Sequence, residues 1–553
     1  MMRDLREWFN KGEHWVWFSA SAVSISVVLV VGLIMMITYK GMVHFWPHTV
    51  HTFELNTNGK VETIVGELHQ QKMKEVMVDV GDGVKLKTEV PQYLMKVGNR
   101  DVYGVDFRWV DSVNVVNQQM QPATNVVVIE RYEWGHVYGQ FNALKQQGKT
   151  LKITDENIPL IYELLEKSNH IREQINQIEK VVIGGINYKI EGLRLEQKKL
   201  ALEGELTNEI KVELASKKRQ LNKDFEAQQD TLESLYARLK ETGEITLDIA
   251  GNKTIQVPIN NIVKLWQPNE MSLLDDIGFF FHSMGSFLIE DPREANTEGG
   301  VFPAIVGTIT MVILMAMFVM PMGVIAAIYM SEYAKEGVVL RIVRISINNL
   351  AGVPSIVFGI FGLGFFVYII GGSIDEMFYE YALPNPTFGT PALLWASLTM
   401  ALLTLPVVIV STQEGLSRVP MALREGGLAL GATKSETIMK IVLPMSLPAI
   451  MTGLILAVAR AAGEVAPLML VGVVKLAPEL PIDLNEPFIH LERKFMHLGF
   501  HIYDVGFQSP NVEASQPLVY ATSLLLIIII VSLNLGAISI RNRLSEKYKS
   551  LSN

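Results

Sequence analysis

The stretch Phe302–Met330 reads FPAIVGTITMVILMAMFVMPMGVIAAIYM, without a single Asp, Glu, Lys or Arg. A helix gains about 1.5 Å per residue and the hydrocarbon of a bilayer is about 30 Å thick, so about 20 apolar residues cross it. This run exceeds that length and reads as a membrane-spanning helix. Working outward, five more runs of the same kind appear: Ser19–Thr38, Leu350–Ile370, Ala392–Ser411, Leu447–Val474 and Leu518–Ile540. The first lies where a signal peptide would. Its apolar run is too long and no small-residue cleavage site follows, so it is expected to be retained. The fold class is therefore an α-helical membrane protein with six spans.

Lys and Arg in short loops orient such a chain, because they collect on the cytoplasmic side. Arg3, Arg6 and Lys11 precede the first span, and Lys335, Arg341 and Arg344 follow the second. Arg418, Arg424, Lys434 and Lys440 follow the fourth, and Arg541, Arg543, Lys547 and Lys549 follow the sixth. The loop after the third span carries Asp375, Glu376 and Glu380 with no Lys or Arg. Both termini are expected in the cytoplasm, as an even number of spans requires. Lys40 is a small exception, and the mixed loop of roughly 475–516 does not vote.

Four parts follow: residues 1–43, a cytoplasmic N-terminus with the first span; 44–300, an extracytoplasmic insert; 301–541, a five-helix core with a cytoplasmic loop at 412–446; and 542–553, a cytoplasmic tail. The insert is expected to be α+β. Its strand-rich parts are about 44–155 and 244–270. Glu75–Val80 and Val84–Lys87 alternate around Gly81-Asp82-Gly83, a hairpin turn pattern. Asn125–Ile129 reads as a strand buried on both faces. Between them, about 156–243 is rich in Glu, Lys, Gln and Leu. Ile171, Ile175, Ile178 and Val182 recur at 4-3-4 spacing, as do Leu221 and Phe225 and then Leu232, Leu235 and Leu239, which predicts an antiparallel coiled-coil hairpin. Gly184-Gly185 is expected to bend or break its first arm. Residues of about 271–290 read as a helix near the membrane surface. No paired carboxylates or His cluster stand out in the insert, which reads as a docking or spacer domain.

Composition narrows the function. The net charge is −9, and no basic tract suggests a nucleic-acid groove. The mean hydropathy of +0.25 is high for a soluble chain of 553 residues. There is no Cys, which removes disulfides, thiolate metal sites and cysteine nucleophiles.

The loop between the fourth and fifth spans carries the most specific pattern: Arg424-Glu425-Gly426-Gly427-Leu428-Ala429-Leu430-Gly431-Ala432-Thr433, ending in Ile441-Val442-Leu443-Pro444. It resembles the EAA loop of ABC importer permeases: Glu-Ala-Ala, three residues, Gly, nine residues, Ile-x-Leu-Pro. Glu425, Gly431, Ile441, Leu443 and Pro444 fall on the pattern, while Gly426 and Gly427 replace the alanines. Glycine is the poorer helix former by about 1 kcal/mol. The resemblance implies six spans of the type I ABC importer permease kind and a lever seated on an ATPase. One helix is expected at about 422–432, stopping at Gly431, and a second at about 435–441, stopping before Pro444. An ordinary amphipathic linker is the plainer alternative. The chain has no P-loop: after Gly426 and Gly431, Ala432 stands where Lys is required. The chain is therefore not expected to be an enzyme or to hold a cofactor, and ATP would be bound by a partner ATPase.

The fifth run contains Ala459-Arg460-Ala461-Ala462-Gly463-Glu464-Val465-Ala466-Pro467-Leu468. An Arg or an acid at the centre of a span costs about 2.5–3.5 kcal/mol on insertion scales and rarely faces lipid. Arg460 and Glu464 are four residues apart, on one face of a helix. Two readings stand: an ion pair that only pins the helix, or a pore-facing pair in which Glu464 holds and releases Arg460 as an anion passes. The planar fork of Arg suits phosphate. Pro467 withholds a hydrogen bond from the carbonyl of Gly463 and is expected to kink the helix there. Ser355, after Pro354, opens a helix whose N–H groups could face an anion. Thr308, Thr404 and Ser411 are pore hydroxyls unless they bond their own backbone.

Ala-Arg-x-Ala-Gly-Glu-x-Ala-Pro-Leu resembles the signature of PstA-type phosphate permeases. Gly299–Thr308, Ile328–Ala334 and Leu350–Gly359 resemble the family's entry to the second span, its exit, and the start of the third. The resemblance covers roughly 299–470. It implies a bacterial inner-membrane importer of inorganic phosphate with a PstC-type second permease, two PstB-type ATPase subunits and an external PstS-type binding protein. The rivals are an ABC permease for sulfate or molybdate, and a membrane-anchored sensor or scaffold.

Overall fold

The structure is a computed structural model, and it describes residues 12–57, 60–79, 85–116, 120–146, 148–510 and 512–549. Six helices are long and apolar enough to cross a membrane: His14–Val43, Phe302–Tyr333, Ser355–Phe378, Leu393–Ser417, Lys434–Gly463 and Val512–Glu546. Two boundaries differ from the sequence reading. Leu350 ends a separate amphipathic helix, Val338–Leu350, and the third span starts only at Ser355, after Pro354 in extended backbone (ψ 134°). The fifth span stops at Gly463 rather than running to Val474, because Glu464 turns extended (φ −82°, ψ 140°). Hydropathy does not register that change, since residues 465–474 stay apolar.

The fourth span is the hub. Two thirds of its most apolar window (67%) is buried, against none of the first span's. Within a membrane there is no hydrophobic force between helices, so close approach depends on small residues. A Cβ placed on Gly323 would stand 2.6 Å from Val408 Cγ1, and one on Gly453 2.7 Å from Ser411 Cβ. These glycines let the second and fifth spans close on the fourth. Thr308, Thr404 and Thr412 are buried and bond carbonyls of their own helices. Those hydroxyls are thereby spent on the backbone. Ser411 packs against Gly453.

The long segment between the first two spans holds two antiparallel sheets. The first is built from β1 (Val50–Thr57), β2 (Lys60–Asp79), β3 (Lys85–Lys96), β4 (Phe107–Asp111) and β5 (Gln121–Pro122), in the order β4-β3-β2-β1-β5. The second comprises β6 (Val127–Arg131), β7 (His136–Gln146), β8 (Lys149–Lys152), β9 (Glu244–Ile249), β10 (Lys253–Pro258) and β11 (Ile262–Trp266). Its order is β10-β9-β7-β6-β11, with β8 on β7. All five residues of β6 are buried. The turn read at Gly81-Asp82-Gly83 lies outside the described residues; β2 and β3 flank it, with Asp79 paired to Lys85.

Helix Ile158–Asn176 continues through a wider π turn, Gln177–Ile183, into Gly184–Leu202, and helix Asn208–Lys240 returns alongside. Ile171, Ile175 and Ile178 pack on Leu232, Leu235 and Leu239. Gly184-Gly185 does not break the arm: both glycines keep helical backbone, and the π turn just before them takes up the irregularity. Helix Leu273–Ile289 starts in a reciprocal cap between Ser272 and Asp275. It lays Phe280, Met284 and Phe287 on Phe45, Val301 and Leu518.

Where sheets and spans join, chain-distant polar groups converge, contrary to the reading that no His cluster exists. His44 follows the first span; His69 lies on β2, Lys96 on β3, Glu130 on β6, His136 on β7 and Lys264 on β11. Glu130 accepts Arg293 at 2.5 Å and Lys264 at 3.3 Å, while Lys96 lies 3.9 Å from Glu298. The His48 and His69 rings are 5.4 Å apart. Three separate segments supply these imidazoles, His44 and His48 from one of them, so no local spacing reveals the cluster. Among the described residues no three of His, Asp and Glu converge as metal ligands.

Desolvation, reinforced by neighbouring His48 and Lys96, lowers His44 to about 3. It likewise holds His69 and His136 well below the ordinary 6.5. Burial raises Glu298 to about 7. Below pH 6.5 an unfolded chain protonates these three histidines while the folded one does not, so acid favours unfolding. Glu298 works the other way, since only the folded state keeps its proton between about 4.5 and 7. Three groups against one decide the sign: lowering the pH from 7 to 5 should loosen this joint, seen as faster limited proteolysis of residues 44–300 in the solubilised chain. In the span bundle, Gly453→Val should cost about 1–3 kcal/mol by overpacking. A thermal-unfolding series would read this as a lower midpoint, with Gly364→Ala, where a Cβ meets open space, as the neutral control.

Candidate functional site

The fifth span connects two unusual places, one at each end. At its start is the loop from the fourth span. Helix Met421–Ala429 ends before Gly431, whose φ of +88° no β-carbon-bearing residue adopts readily. Thr433 then caps the next helix reciprocally with Glu436. That helix does not stop before Pro444. It passes through a π turn, Ile438–Val442, and Pro444 sits at the beginning of Leu443–Gly463, so lever and span form one rod. The π turn occupies the stretch where Pro444 withholds a regular hydrogen bond.

Gly427 is buried, and a Cβ there would stand 2.9 Å from Ile441 Cδ1. The glycine in place of alanine thus sets how closely the two loop helices pack, a role that helix propensity alone does not convey. Leu443 and Pro444 are half-buried, whereas Glu425 and Gly431 are exposed. Met421, Leu428, Leu430 and Met439 are exposed too, Leu430 by 91%. A contact that the sequence did not reveal fixes the loop. Arg424 pairs with Glu332 at the end of the second span, and Lys434 donates to the Glu332 carbonyl. The two partners lie 92 positions apart, so no spacing rule finds them.

At the other end, Arg460 Nε is 3.6 Å from Glu464 Oε1, with both side chains partly exposed. The pairing read from the sequence exists, but not its setting. Arg460 is one turn from the end of the span, not mid-span, and Glu464 is already outside the helix. Pro467 does not kink a continuous helix. It precedes the short helix Leu468–Val471, so the chain is fully broken at 464–467. Pro467 is seated against Gly359 of the third span, where a Cβ would stand 2.7 Å from Pro467 Cα. Ser355 is one turn earlier on that span and partly exposed; among the described residues no hydrogen bond or ion pair links it to Arg460 or Glu464. The structure therefore pairs Arg460 with Glu464 and seats Pro467 on the third span, and among the described residues no hydrogen bond or ion pair joins Ser355 to them.

Residues 319–550 match the family described as the binding-protein-dependent transport system inner membrane component. The phosphate transport system permease protein PstA 1 of Mycobacterium tuberculosis is 35% identical over 196 residues, 35% of this chain and 57% of that protein. The probable ABC transporter permease protein YqgH of Bacillus subtilis is 32% identical over 35% of this chain and 59% of its own length. The phosphate transport system permease protein PstA of Yersinia pestis is 34% identical over 34% of this chain and 57% of its own. The chain thus spans a little over half the length of the relatives it matches. The second part of the chain is thus similar to inner-membrane permease components of binding-protein-dependent transport systems, PstA among them.

The loop pair is testable alone. Removing one partner of a largely buried ion pair costs about 3–5 kcal/mol, more than removing both. Arg424→Ala should therefore destabilise the solubilised protein more than the Arg424→Ala/Glu332→Ala double variant does; strictly additive losses in a thermal-unfolding cycle would show that the pair is not coupled.

Proposed function

We propose that this chain is the permease subunit of an ATP-driven importer that moves inorganic phosphate across a bacterial cytoplasmic membrane. In this reading both termini are cytoplasmic and residues 44–300 form the extracytoplasmic insert, its helical hairpin a coiled coil. A PstC-type permease, two PstB-type ATPase subunits and an external PstS-type binding protein complete the assembly.

The observation that carries the reading is Arg460 at the broken end of the fifth span. Non-helical backbone beside membrane helices is tolerated where it lines a cavity or is buried in protein, and broken helices are common at substrate sites. Among the described residues Arg460 has one carboxylate neighbour, at a distance too long for a tight bond, so its guanidinium has donors to offer. Phosphate takes two of them at once. Glu464, outside the helix, can reclaim the guanidinium when the anion leaves. The rod from Lys434 to Gly463 links this site to the loop, whose exposed Met421, Leu428 and Leu430 suit a cleft on the ATPase. Motion of the ATPase would then reach Arg460 through one stiff element. The PstA names of relatives support phosphate as the cargo.

Labelled phosphate uptake at low concentration, in cells with and without this chain and with sulfate as competitor, tests the proposal. The intact chain should restore uptake that sulfate does not inhibit. Inhibition by sulfate, or unchanged uptake without the chain in cells lacking another phosphate carrier, sinks the phosphate assignment. A charge-assisted hydrogen bond contributes about 1.5–3 kcal/mol, roughly a 10–100-fold effect. Arg460→Ala should lose uptake on that scale, while Arg460→Lys keeps assembly and impairs transport; normal uptake by Arg460→Ala removes its role. Failure to copurify with an ATPase would favour the scaffold alternative.

A further inference from the structure

The insert touches the permease core at a second place, far from the joint with the first span. Helix Gly184–Leu202 lies across two loops at the insert-side ends of the spans. Lys198 Nζ donates to the Leu383 carbonyl at 2.5 Å, in the loop between the third and fourth spans. Tyr188 Oη donates to the Glu486 carbonyl at 3.0 Å, in the loop after the fifth span, and its ring meets His490 edge-on at 5.7 Å. A Cβ on Gly185 would stand 3.3 Å from Asn485 Oδ1.

The receiving surface is firm. Asp375 is buried and accepts the backbone N–H groups of Phe388 and Gly389 at 2.6–3.0 Å. His490 and Arg493 both hold Asp483, at 2.9 and 2.6 Å. The two loops are stitched together by Leu393 N–H to Arg493 O and Leu394 N–H to Leu491 O. Desolvation opposes ionisation of Asp483, but its bonds from Arg493, Asn485 and His490 prevail and hold its carboxyl far below the usual range.

The arm is the opposite. No residue of Gly184–Leu202 is buried. It meets the loops at Gly185, close to Asn485, and through the side chains of Tyr188 and Lys198, with no buried apolar residue between. Its root is anchored by Ile171 and Ile175, which sit in a buried cluster, while at the π turn that follows Lys180 makes only an exposed ion pair with Asp291. Between root and arm lie the π turn Gln177–Ile183 and Gly184-Gly185. Wide turns and adjacent glycines are where helices give way. A weakly packed segment with a firm root, a soft joint and a few polar contacts opens at low cost.

We propose that helix Gly184–Leu202 is a releasable strap over the insert-side mouth, pivoting at the π turn Gln177–Ile183 and lifting from the two loops during each transport cycle. This rests on the reading of the chain as a transport permease, with the mouth as the entry side. The cargo must pass under the strap, so holding it down should stop transport without touching Arg460 or the ATPase loop.

The chain has no cysteine, so a Gly185→Cys/Asn485→Cys variant reports on this contact without background. Oxidation of the full-length protein in membranes should form the cross-link. Phosphate uptake should fall to about a tenth or less when oxidised and recover with reductant, as expected when a locally opening unit is locked. A cross-link that does not form overturns the strap, and so does one that forms while uptake stays at the reduced level. If wild type and reduced variant both fail to take up phosphate, the transport assignment has failed instead. The strap is then judged by spin-label distances between Lys189→Cys and Glu376→Cys in the assembled complex. A second, longer population on adding ATP supports it, and one unchanged narrow distance rules it out.

Discussion

The bundle depends on how closely three other spans can approach the fourth without a hydrophobic force to drive them together. Dispersion between closely fitted surfaces has to substitute, and it falls off within an ångström of lost contact. Gly323 against Val408 and Gly453 against Ser411 supply the fit. Gly362 does the same against Thr399. The fourth span's own threonines are tied to its backbone and leave a dry, apolar flank for Met311, Met315, Ala457 and Ala461. The arrangement of the second, third and fifth spans follows from those contacts.

Two specialised ends hang from the fifth span because it is fixed in that way. One end is continuous with the loop helices, so a displacement at Thr433 is carried along the helix and not absorbed by a flexible linker. The other end stops abruptly at Gly463. Glu464 leaves the helix, and Pro467 is clamped by Gly359 of the neighbouring span. The break is thus held between two helices instead of being loose, and the Arg460–Glu464 pair sits where the rod ends. Arg424 and Glu332 tie the loop end back to the second span, which gives the lever a fixed point.

Two of the contacts around residues 44–300 are of opposite character. The joint near His44 is enclosed and polar, with Glu130 shared between Arg293 and Lys264. Enclosed polar groups are tolerable only when paired, so this contact is rigid and intolerant of charge change. The contact of helix Gly184–Leu202 with the mouth loops is exposed, sparse and carried by flexible side chains.

Much of this architecture is written in the chain itself. Runs such as Phe302–Met330 can only be spanning helices, because in hydrocarbon each backbone group must be satisfied within its own helix. The spacing of Glu425, Gly431, Ile441, Leu443 and Pro444, and of Arg460 with Glu464, is local and therefore legible. Local signals also misled where apolarity continued past a change of backbone. Residues 465–474 are as apolar as a span yet hold only the four-residue helix Leu468–Val471, and Pro444 looked like a stop yet lies inside a rod. What only the tertiary structure decided are the contacts across long sequence separations: Arg424 with Glu332, Gly359 with Pro467, His44 and His48 with His69 and His136, and Lys198 and Tyr188 on loops some 185 and 298 positions away. No periodicity encodes such pairs, because they exist only once separate helices and sheets have packed and brought their backbones within reach.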